Sequence, residues 1–231
     1  MEKLPKINII YEDNHLLVVE KPVGIPVQED SSKDIDMITI LKEYRKKKEN
    51  KTGNAYIGLV HRLDRPVGGV MVFAKTSKAL ERMNRMFADH QQIKKTYRAI
   101  VCGRPERVDG KIESYLLRVE KQNKSYSYST AKPNSKFASL DYKTIACGDR
   151  YSVLEVELHT GRHHQIRCQL ASIGCPIKGD LKYGAPRSNP DGGISLLARS
   201  IEFIHPVSKE LIHVEAPLPK DALWGKLLSV D

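Results

Sequence analysis

The feature that most limits the possible folds is a series of short strand-like segments separated by polar turns. Residues 7–22 predict two strands around a polar turn at Asp13-Asn14, and residues 70–74 form the continuous apolar run of a buried strand. Residues 94–101 and 151–158 alternate between two faces, as half-buried strands do. The chain is therefore predicted to be rich in strands.

Helical spacing of apolar residues occurs in three segments. They are residues 36–48, the segment that follows the capping candidates Thr76 and Ser77, and residues 163–173. In the last segment Ile166, Leu170 and Ile173 are predicted to form the apolar stripe, and Gly174 stands where a C-terminal cap is expected. There is no internal repeat and no change of composition that marks a linker. We therefore predict an α+β fold in one domain, residues 1–231.

The charge of the chain points to a polyanionic partner. Lys and Arg total 38 against 28 Asp and Glu, which gives a formal net charge of +10. Such an excess of positive charge attracts nucleic acid, the most abundant polyanion in cells. No apolar run approaches the roughly 20 residues of a membrane span, and the N-terminal residues do not resemble an export signal. A cytoplasmic protein without membrane contact is expected.

Several kinds of chemistry lack their sequence signatures. We find neither a glycine-rich phosphate loop nor the G-x-S-x-G motif of a hydrolase nucleophile. The four cysteines have no C-x-x-C spacing, and the clustered histidines cannot share one helical face because Thr160-Gly161 separates a strand from a helix. These residues are Cys102, Cys147, Cys168, Cys175, His159, His163 and His164. Neither a metal site nor a cofactor is predicted.

Two charged clusters remain as candidates for chemistry: residues 61–65, His-Arg-Leu-Asp-Arg, and residues 161–167, Gly-Arg-His-His-Gln-Ile-Arg. On a helical wheel Arg167 borders the apolar stripe, on the same side as His163, and a guanidinium there needs a carboxylate partner such as Asp64. The pair could simply stabilise the fold. Alternatively, Arg167 could keep Asp64 ionised as a nucleophile, since a nearby positive charge lowers a carboxyl pKa. The pattern alone does not decide between these.

The polar segment 120–137 also has two interpretations. It interleaves lysines with Tyr126, Tyr128 and Phe137 and has almost no aliphatic residues. It could be a mobile, solvated loop, or a hairpin whose lysines contact phosphates and whose tyrosines stack on bases.

Five ordered segments together resemble the RluA-type pseudouridine synthase family almost from end to end. They are Ile10–Asp13 with Lys21–Gly24; His61–Arg65 with Gly69–Thr76; Lys95–Val101; Gly161–Arg167; and Gly174–Ile177 with Gly179–Gly184. The resemblance implies the catalytic fold of that family, with a mixed, mostly antiparallel central sheet, flanking helices and an RNA-binding cleft. It also implies isomerisation of uridine to pseudouridine in rRNA or tRNA without a cofactor.

The same resemblance assigns roles to individual residues. Asp64 matches the aspartate that attacks the target nucleotide, and Tyr97 matches the tyrosine that packs on the uracil and is proposed to help remove the C5 proton. Arg167 matches the arginine that pairs with the aspartate. Arg62 matches a basic residue that enters the RNA helix beside the extruded base, and Leu196 aligns with an apolar contact to the base.

The chain departs from the commoner family pattern at three places. Val67-Gly68 replaces a frequent Thr-Ser, His163 replaces a threonine, and Leu197 replaces a histidine. The family segments begin near residue 7, so we expect no small N-terminal RNA-binding domain of the S4 type. RNA would then be gripped through phosphate contacts of Lys46–Lys48, Lys51 and residues 120–137.

Two other functions were weighed against the enzyme. A non-catalytic RNA-binding or RNA-chaperone protein on the same fold predicts loss of the aspartate, the tyrosine or the arginine, and all three are present. A hydrolase of N-glycosides needs a second acid beside Asp64, and no candidate is evident. We expect a monomer with RNA as its partner and no obligate protein partner.

Overall fold

The computed structural model describes residues 4–50, 52–89 and 92–228, and within them an α+β fold of mostly antiparallel strands and four helices. The strands are β1 (Asn8–Glu12), β2 (Leu16–Lys21), β3 (Gly58–Leu59), β4 (Gly68–Ala74), β5 (Ile93–Cys102), β6 (Asp109–Val119), β7 (Lys124–Tyr128), β8 (Lys136–Cys147), β9 (Tyr151–Leu158), β10 (Leu196–Ile204) and β11 (Leu211–Glu215). The helices are α1 (Met37–Lys48), α2 (Ser77–Ala88), α3 (Gln165–Ser172) and α4 (Ala222–Leu228). The predicted fold class is confirmed.

The described residues form two compact units. Unit 1 comprises the chain up to Ile93 together with Ser200–Ala216, and unit 2 comprises Lys94–Arg199 together with the residues from Pro217 onward.

Unit 1 is built around the buried strand β4, whose seven residues are all inaccessible to solvent. Strand β2 pairs antiparallel with β4, and β1 pairs with β2 across the turn predicted at Asp13-Asn14. Asp13 shapes that turn, because its carboxylate accepts hydrogen bonds from the backbone N–H groups of His15 and Leu16. The continuous apolar sequence of β4 is thus explained by burial on both faces.

Both helices of unit 1 begin at a side-chain cap, and the cap of α2 is one of its two predicted candidates. Asp36 caps α1 by accepting from the Thr39 N–H, and Thr76 caps α2 by accepting from the Ala79 N–H. In α2 the residue Met83 is fully buried. Helix α2 therefore packs through one face only, as its apolar spacing predicts.

Unit 2 contains an antiparallel arrangement in the order β5-β9-β8-β6-β7. The segment that was predicted as either a loop or a hairpin is resolved as a hairpin. A short 3₁₀ turn over Glu120–Gln122 joins β6 to β7, and Asn123 ends that turn in the left-handed conformation. The segment 120–137 therefore contains the turn and the second strand of a hairpin with β6, and the RNA contacts of its lysines and tyrosines stay a prediction.

Three details of the sequence prediction are wrong. Helix α3 begins at Gln165, so His163 precedes the helix and does not share a helical face with Arg167. Ile173 is 37% exposed and lies outside the apolar stripe, because the helix ends at Ser172. The sequence predicts separate strand-like runs at 195–198 and 200–205, whereas the structure has one continuous strand there, β10.

No helix in the described parts of the chain combines the length and the apolar character needed to cross a membrane.

Candidate active site

The loop that carries Asp64 lies between β3 and β4 and is anchored on both sides of this residue. The Nε2 atom of His61 accepts a hydrogen bond of 3.0 Å from the Val72 N–H, and its ring stacks on Phe87 at 4.8 Å between centroids. Leu63 is buried, at 8% exposure. A turn follows, in which the Val67 N–H donates to the Asp64 carbonyl at 2.9 Å. These contacts give the Asp64 backbone a defined position while its side chain remains half-buried.

Lys21 holds the same loop from the end of β2. Its ammonium group is 1% exposed and donates to the carbonyl oxygens of Pro22, Arg65 and Val67 at 2.9, 3.1 and 2.8 Å. Burial lowers the pKa of Lys21 to about 7, although the Asp64 carboxylate acts to raise it. Lys21 is therefore a buried group electrostatically coupled to Asp64, and one that the sequence analysis did not single out.

The two arginines beside Asp64 have different surroundings. Arg65 donates through Nε to the Gly24 carbonyl at 2.8 Å and forms an ion pair with Asp34. The Gly24 N–H in turn donates to the Arg65 carbonyl at 3.0 Å, so Arg65 links the Asp64 loop to the segment after β2. Arg62 is exposed. Arg65 thus has a structural role, and Arg62 is placed where a solvent-borne ligand can reach it.

Tyr97 lies in β5 of unit 2 and is 8% exposed. It stands directly opposite Val156 of β9 and shares its strand face with Lys95 and Ala99, as the alternation of residues 94–101 predicts. Lys95 is also nearly buried, and burial lowers its pKa. The ring of Tyr97 is therefore part of an apolar strand face that includes one buried amine.

Two glutamines one turn apart attach helix α3 to the sheet of unit 2. The Gln165 amide donates to the Ser139 carbonyl at 3.0 Å and its oxygen accepts from the Thr160 hydroxyl at 2.7 Å. Gln169 is fully buried and donates to the Ser114 hydroxyl at 2.9 Å. Because both side chains donate hydrogen bonds to groups on the sheet, the helix has little freedom to rotate, and Arg167 on it is presented in one direction.

Arg167 is held by Asp180 and Tyr183. Its Nε and Nη2 atoms donate to the two carboxylate oxygens of Asp180 at 2.6 and 2.9 Å. Both residues are buried, Arg167 at 5% and Asp180 at 1% exposure, and the guanidinium carbon lies 5.2 Å from the centre of the Tyr183 ring. A two-point contact to a carboxylate and a cation–π contact fix both the position and the plane of the guanidinium.

Tyr183 also connects this arginine to the β6–β7 hairpin. Its hydroxyl oxygen accepts from the Ser125 N–H at 2.9 Å and lies 3.0 Å from Nδ1 of His164. Burial and the charge of Arg167 lower the pKa of His164 to about 2, so this imidazole stays neutral. His163 stacks on His164 at 3.7 Å.

The predicted site residues fall in both units. Asp64 and Arg62 belong to unit 1, whereas Tyr97, Arg167 and Leu196 belong to unit 2, where Leu196 is 6% exposed at the start of β10. The structure brings Arg167 together with Asp180, a residue that the sequence analysis quoted within a motif without giving it a role. The ion pair between Asp64 and Arg167 remains a prediction.

The basic run at the end of α1 is largely engaged within unit 1. Lys46 pairs with Glu43 at 2.7 Å, and Lys48 pairs with Glu12 at 2.6 Å. Lys51 lies outside the described residues. A phosphate at Lys46 or Lys48 would have to compete with an existing carboxylate partner.

The described residues contain no group of three or more His, Cys, Asp or Glu side chains arranged to hold a metal ion. The clustered histidines instead make ring and hydrogen-bond contacts. His159 lies 2.7 Å from Asp141, and His163 lies 2.9 Å from the Ser125 hydroxyl.

Comparison with known proteins identifies the family. The model of the RNA pseudouridylate synthase family matches residues 15–172, a range that includes Asp64, Tyr97 and Arg167. The chain belongs to this family of RNA-modifying isomerases, and the RluA-type resemblance seen in the sequence is confirmed.

Two curated relatives share most of their length with this chain. The ribosomal large subunit pseudouridine synthase D of Zymomonas mobilis is 33% identical over 235 residues, which are 97% of this chain and 73% of the relative. The tRNA pseudouridine synthase C of Vibrio parahaemolyticus is 28% identical over 242 residues, which are 97% of this chain and 94% of the relative.

The fold agrees with a solved structure, that of human RNA Pseudouridylate Synthase Domain Containing 4. The TM-score is 0.78 with 24% sequence identity, and the match covers 94% of this chain and 90% of the human one.

Proposed function

We propose that this protein converts specific uridines of structured RNA to pseudouridine, with Asp64 as the nucleophile and without a cofactor. The observation that carries the proposal is the Asp64 loop. Its backbone is anchored by His61, Leu63 and the buried ammonium of Lys21, and it lies within the range matched by the family model. Such anchoring is what an oriented nucleophile requires.

The reaction conserves all atoms of the nucleotide. In the proposed sequence the Asp64 carboxylate bonds to C1′ as the bond between N1 and C1′ breaks. The uracil then turns, and C5 forms the new bond to C1′ as the bond to Asp64 breaks and the free carboxylate is restored. C5 loses its proton and N1 gains one. Tyr97 is proposed to pack on the uracil and to help remove the C5 proton, and its place on a buried strand face suits stacking on an extruded base.

Arg167 is proposed to pair with Asp64 and to keep it ionised. The contact with Asp180 involves Nε and Nη2, so a second carboxylate would approach through Nη1. Arg62 is proposed to enter the space left by the extruded base, which its exposure supports. Leu196 is proposed as an apolar contact to that base.

The remaining parts of the proposal concern organisation and partners. We propose one pseudouridine synthase domain over residues 1–231, with an RNA-binding cleft, since the family match runs through parts of both units. The relatives named above are a ribosomal and a tRNA enzyme, so rRNA or tRNA is the proposed substrate. The protein is further proposed to be a cytoplasmic monomer without an obligate protein partner.

RNA carrying tritium at uracil C5 provides the test, because isomerisation releases the label to water. The wild type should release it, whereas Asp64→Asn should fold, bind RNA and release none. Asp109→Asn, which changes an exposed carboxyl at the start of β6, is the matched control and should remain active. Full release by Asp64→Asn would refute the nucleophile. RNA binding by the wild type without any release would favour the RNA-chaperone alternative.

A further inference from the structure

A row of aromatic side chains crosses three neighbouring strands of unit 2. Tyr115 of β6 stands directly opposite Tyr128 of β7 on one side and Phe137 of β8 on the other. The rings of Tyr115 and Phe137 meet edge to face at 5.8 Å. We call Tyr115, Tyr128 and Phe137 the aromatic row. Tyr126 of β7 lies on the same strand face as Tyr128, two residues away.

The aromatic row is on the sheet face that the core does not use. Along β6 the alternate residues Ser114 and Leu116 are buried, and Ala138 beside them on β8 is fully buried. Phe137 is 43% exposed, and Tyr115 and Tyr128 are partly exposed. Large aromatic side chains that are left open to solvent on a regular sheet face are uncommon unless something binds there.

Positive charge surrounds these rings. The Lys124 ammonium lies 5.3 Å from the centre of the Tyr126 ring, and the Lys132 ammonium lies 5.9 Å from that of Tyr128. A row of rings edged by lysines can stack bases and contact the phosphates between them.

Two acidic residues of the same face have partners within the protein. Glu113, two residues before Tyr115, forms an ion pair of 2.6 Å with Lys111, and Asp141 lies 2.7 Å from His159. The field at the aromatic row is therefore set by the lysines. This complementarity favours a polyanion over an acidic or purely apolar protein partner.

The row also adjoins the loop that leads into helix α3. Arg162 donates through Nε to the Phe137 carbonyl at 2.9 Å, and the Thr160 hydroxyl accepts from the Ser139 N–H at 3.0 Å. The strand that carries Phe137 is thus tied to the segment that precedes Arg167.

We propose that the aromatic row is a binding platform for unpaired nucleotides of the substrate RNA, with bases stacked on Tyr115, Tyr128 and Phe137 and phosphates at Lys124 and Lys132. This inference rests on the proposed function insofar as it takes the ligand to be the substrate. Cross-strand aromatic pairs also stabilise a sheet, but that role needs neither the exposure nor the lysines.

The test uses an oligoadenylate of about 12 nucleotides, within the ~4–16 nucleotides of known single-strand sites. It contains no uridine, so its binding is independent of isomerisation. Fluorescence anisotropy of the labelled oligomer should show affinity weakened about five- to tenfold by Phe137→Leu and by Tyr115→Leu, since each removes one stacking surface. For Lys132→Gln, the slope of the logarithm of the binding constant against the logarithm of the salt concentration should become shallower by about 0.7, the value for the loss of one phosphate contact.

Tyr56→Leu is the matched control, because Tyr56 is 42% exposed and lies in unit 1. This variant should bind the oligomer as the wild type does. The thermal unfolding of every variant should be measured as well, so that only folded variants are compared. Ultraviolet crosslinking of the unmodified protein to the oligomer, followed by peptide mapping, avoids dependence on variant folding. Crosslinks should map to the aromatic row.

The outcomes separate this proposal from the enzymatic one. The platform is overturned if Phe137→Leu and Tyr115→Leu bind the oligomer with unchanged affinity, or if the crosslinks lie only outside the aromatic row. Either result holds whatever the tritium assay shows. Loss of affinity in both variants with no tritium release by the wild type supports the platform and refutes the enzyme. The wild type could also self-associate, and Phe137→Leu could abolish this without changing the affinity for RNA. That result would assign the face to contact with a second copy of this chain and would overturn the platform.

Discussion

Arg167 and Asp180 form a two-point ion pair in the interior of unit 2, with both side chains almost inaccessible to water. The arginine proposed to pair with Asp64 therefore already has a carboxylate partner. Asp180 offsets the cost of burying the guanidinium and determines its orientation. Any further carboxylate that Arg167 meets will find it prearranged.

Replacing Asp180 with alanine should destabilise the protein by about 3–5 kcal/mol, because it leaves a buried positive charge without its partner. Urea unfolding monitored by circular dichroism would measure the loss. Asp180→Asn should cost less, since the amide oxygen still accepts one hydrogen bond. Asp34→Ala removes a carboxylate from the exposed ion pair with Arg65 and should change the stability little. Equal effects of the two alanine variants would contradict the buried pair.

The buried amine of Lys21 should make stability depend on pH. Its pKa in the folded protein is about 7, against an ordinary value of 10.5. Between these two values the unfolded chain binds more protons than the folded one, so stability should rise with pH from about 7 upward and be flat below that. The unfolding free energy of wild type minus that of Lys21→Met should therefore increase between neutral pH and pH ~9.5.

Other groups titrate in the same range, but the subtraction removes their contribution. Lys94→Met, which changes a lysine that is 55% exposed, is the control and should show no such trend relative to wild type. A difference for Lys21→Met that does not vary with pH would show that this amine is not perturbed by burial.

The hydroxyl of Tyr183 joins the β6–β7 hairpin to the environment of Arg167, so Tyr183→Phe tests that link. The variant leaves the buried Ser125 N–H without an acceptor and should cost about 1–3 kcal/mol in chemical unfolding. The loss should be constant between pH 5 and 8, since the pKa of His164 is lowered to about 2 and its protonation does not change there. Tyr126→Phe removes an exposed hydroxyl contact to Gln122 and should be close to neutral. A cost for Tyr126→Phe as large as that for Tyr183→Phe would argue against a specific role of the Tyr183 hydroxyl.

The elements that could be predicted from sequence are those with a local physical cause. The cap at Thr76, the turn at Asp13 and the buried strand β4 follow from side chains and periodicity within a few residues, and the structure confirms them. Alternation likewise puts Tyr97, Ala99 and Val101 on one face of their strand, and the structure shows that all three are buried.

What could not be predicted depends on distant contacts. Nothing near Lys21 in sequence shows that its ammonium binds carbonyl oxygens more than forty positions away. The contact between Arg167 and Asp180 could not be predicted from sequence, because nothing near either residue in the chain marks them as partners and only the fold shows it. The start of α3 was misjudged because His164 adopts the left-handed conformation, φ 53°, for which its sequence gives no signal.

Gly174 at the end of α3 provides a last prediction about the scaffold of the site. It has a φ of +76°, and a Cβ at this position would meet no atom within 4 Å. Gly174→Ala should therefore cost about 1–2 kcal/mol through backbone strain alone. Gly53→Ala is the matched control, because its Cβ also meets nothing but its φ lies outside the positive range. Thermal unfolding should separate the two variants. A neutral Gly174→Ala would mean that the cap relaxes, which would loosen the helix that presents Arg167.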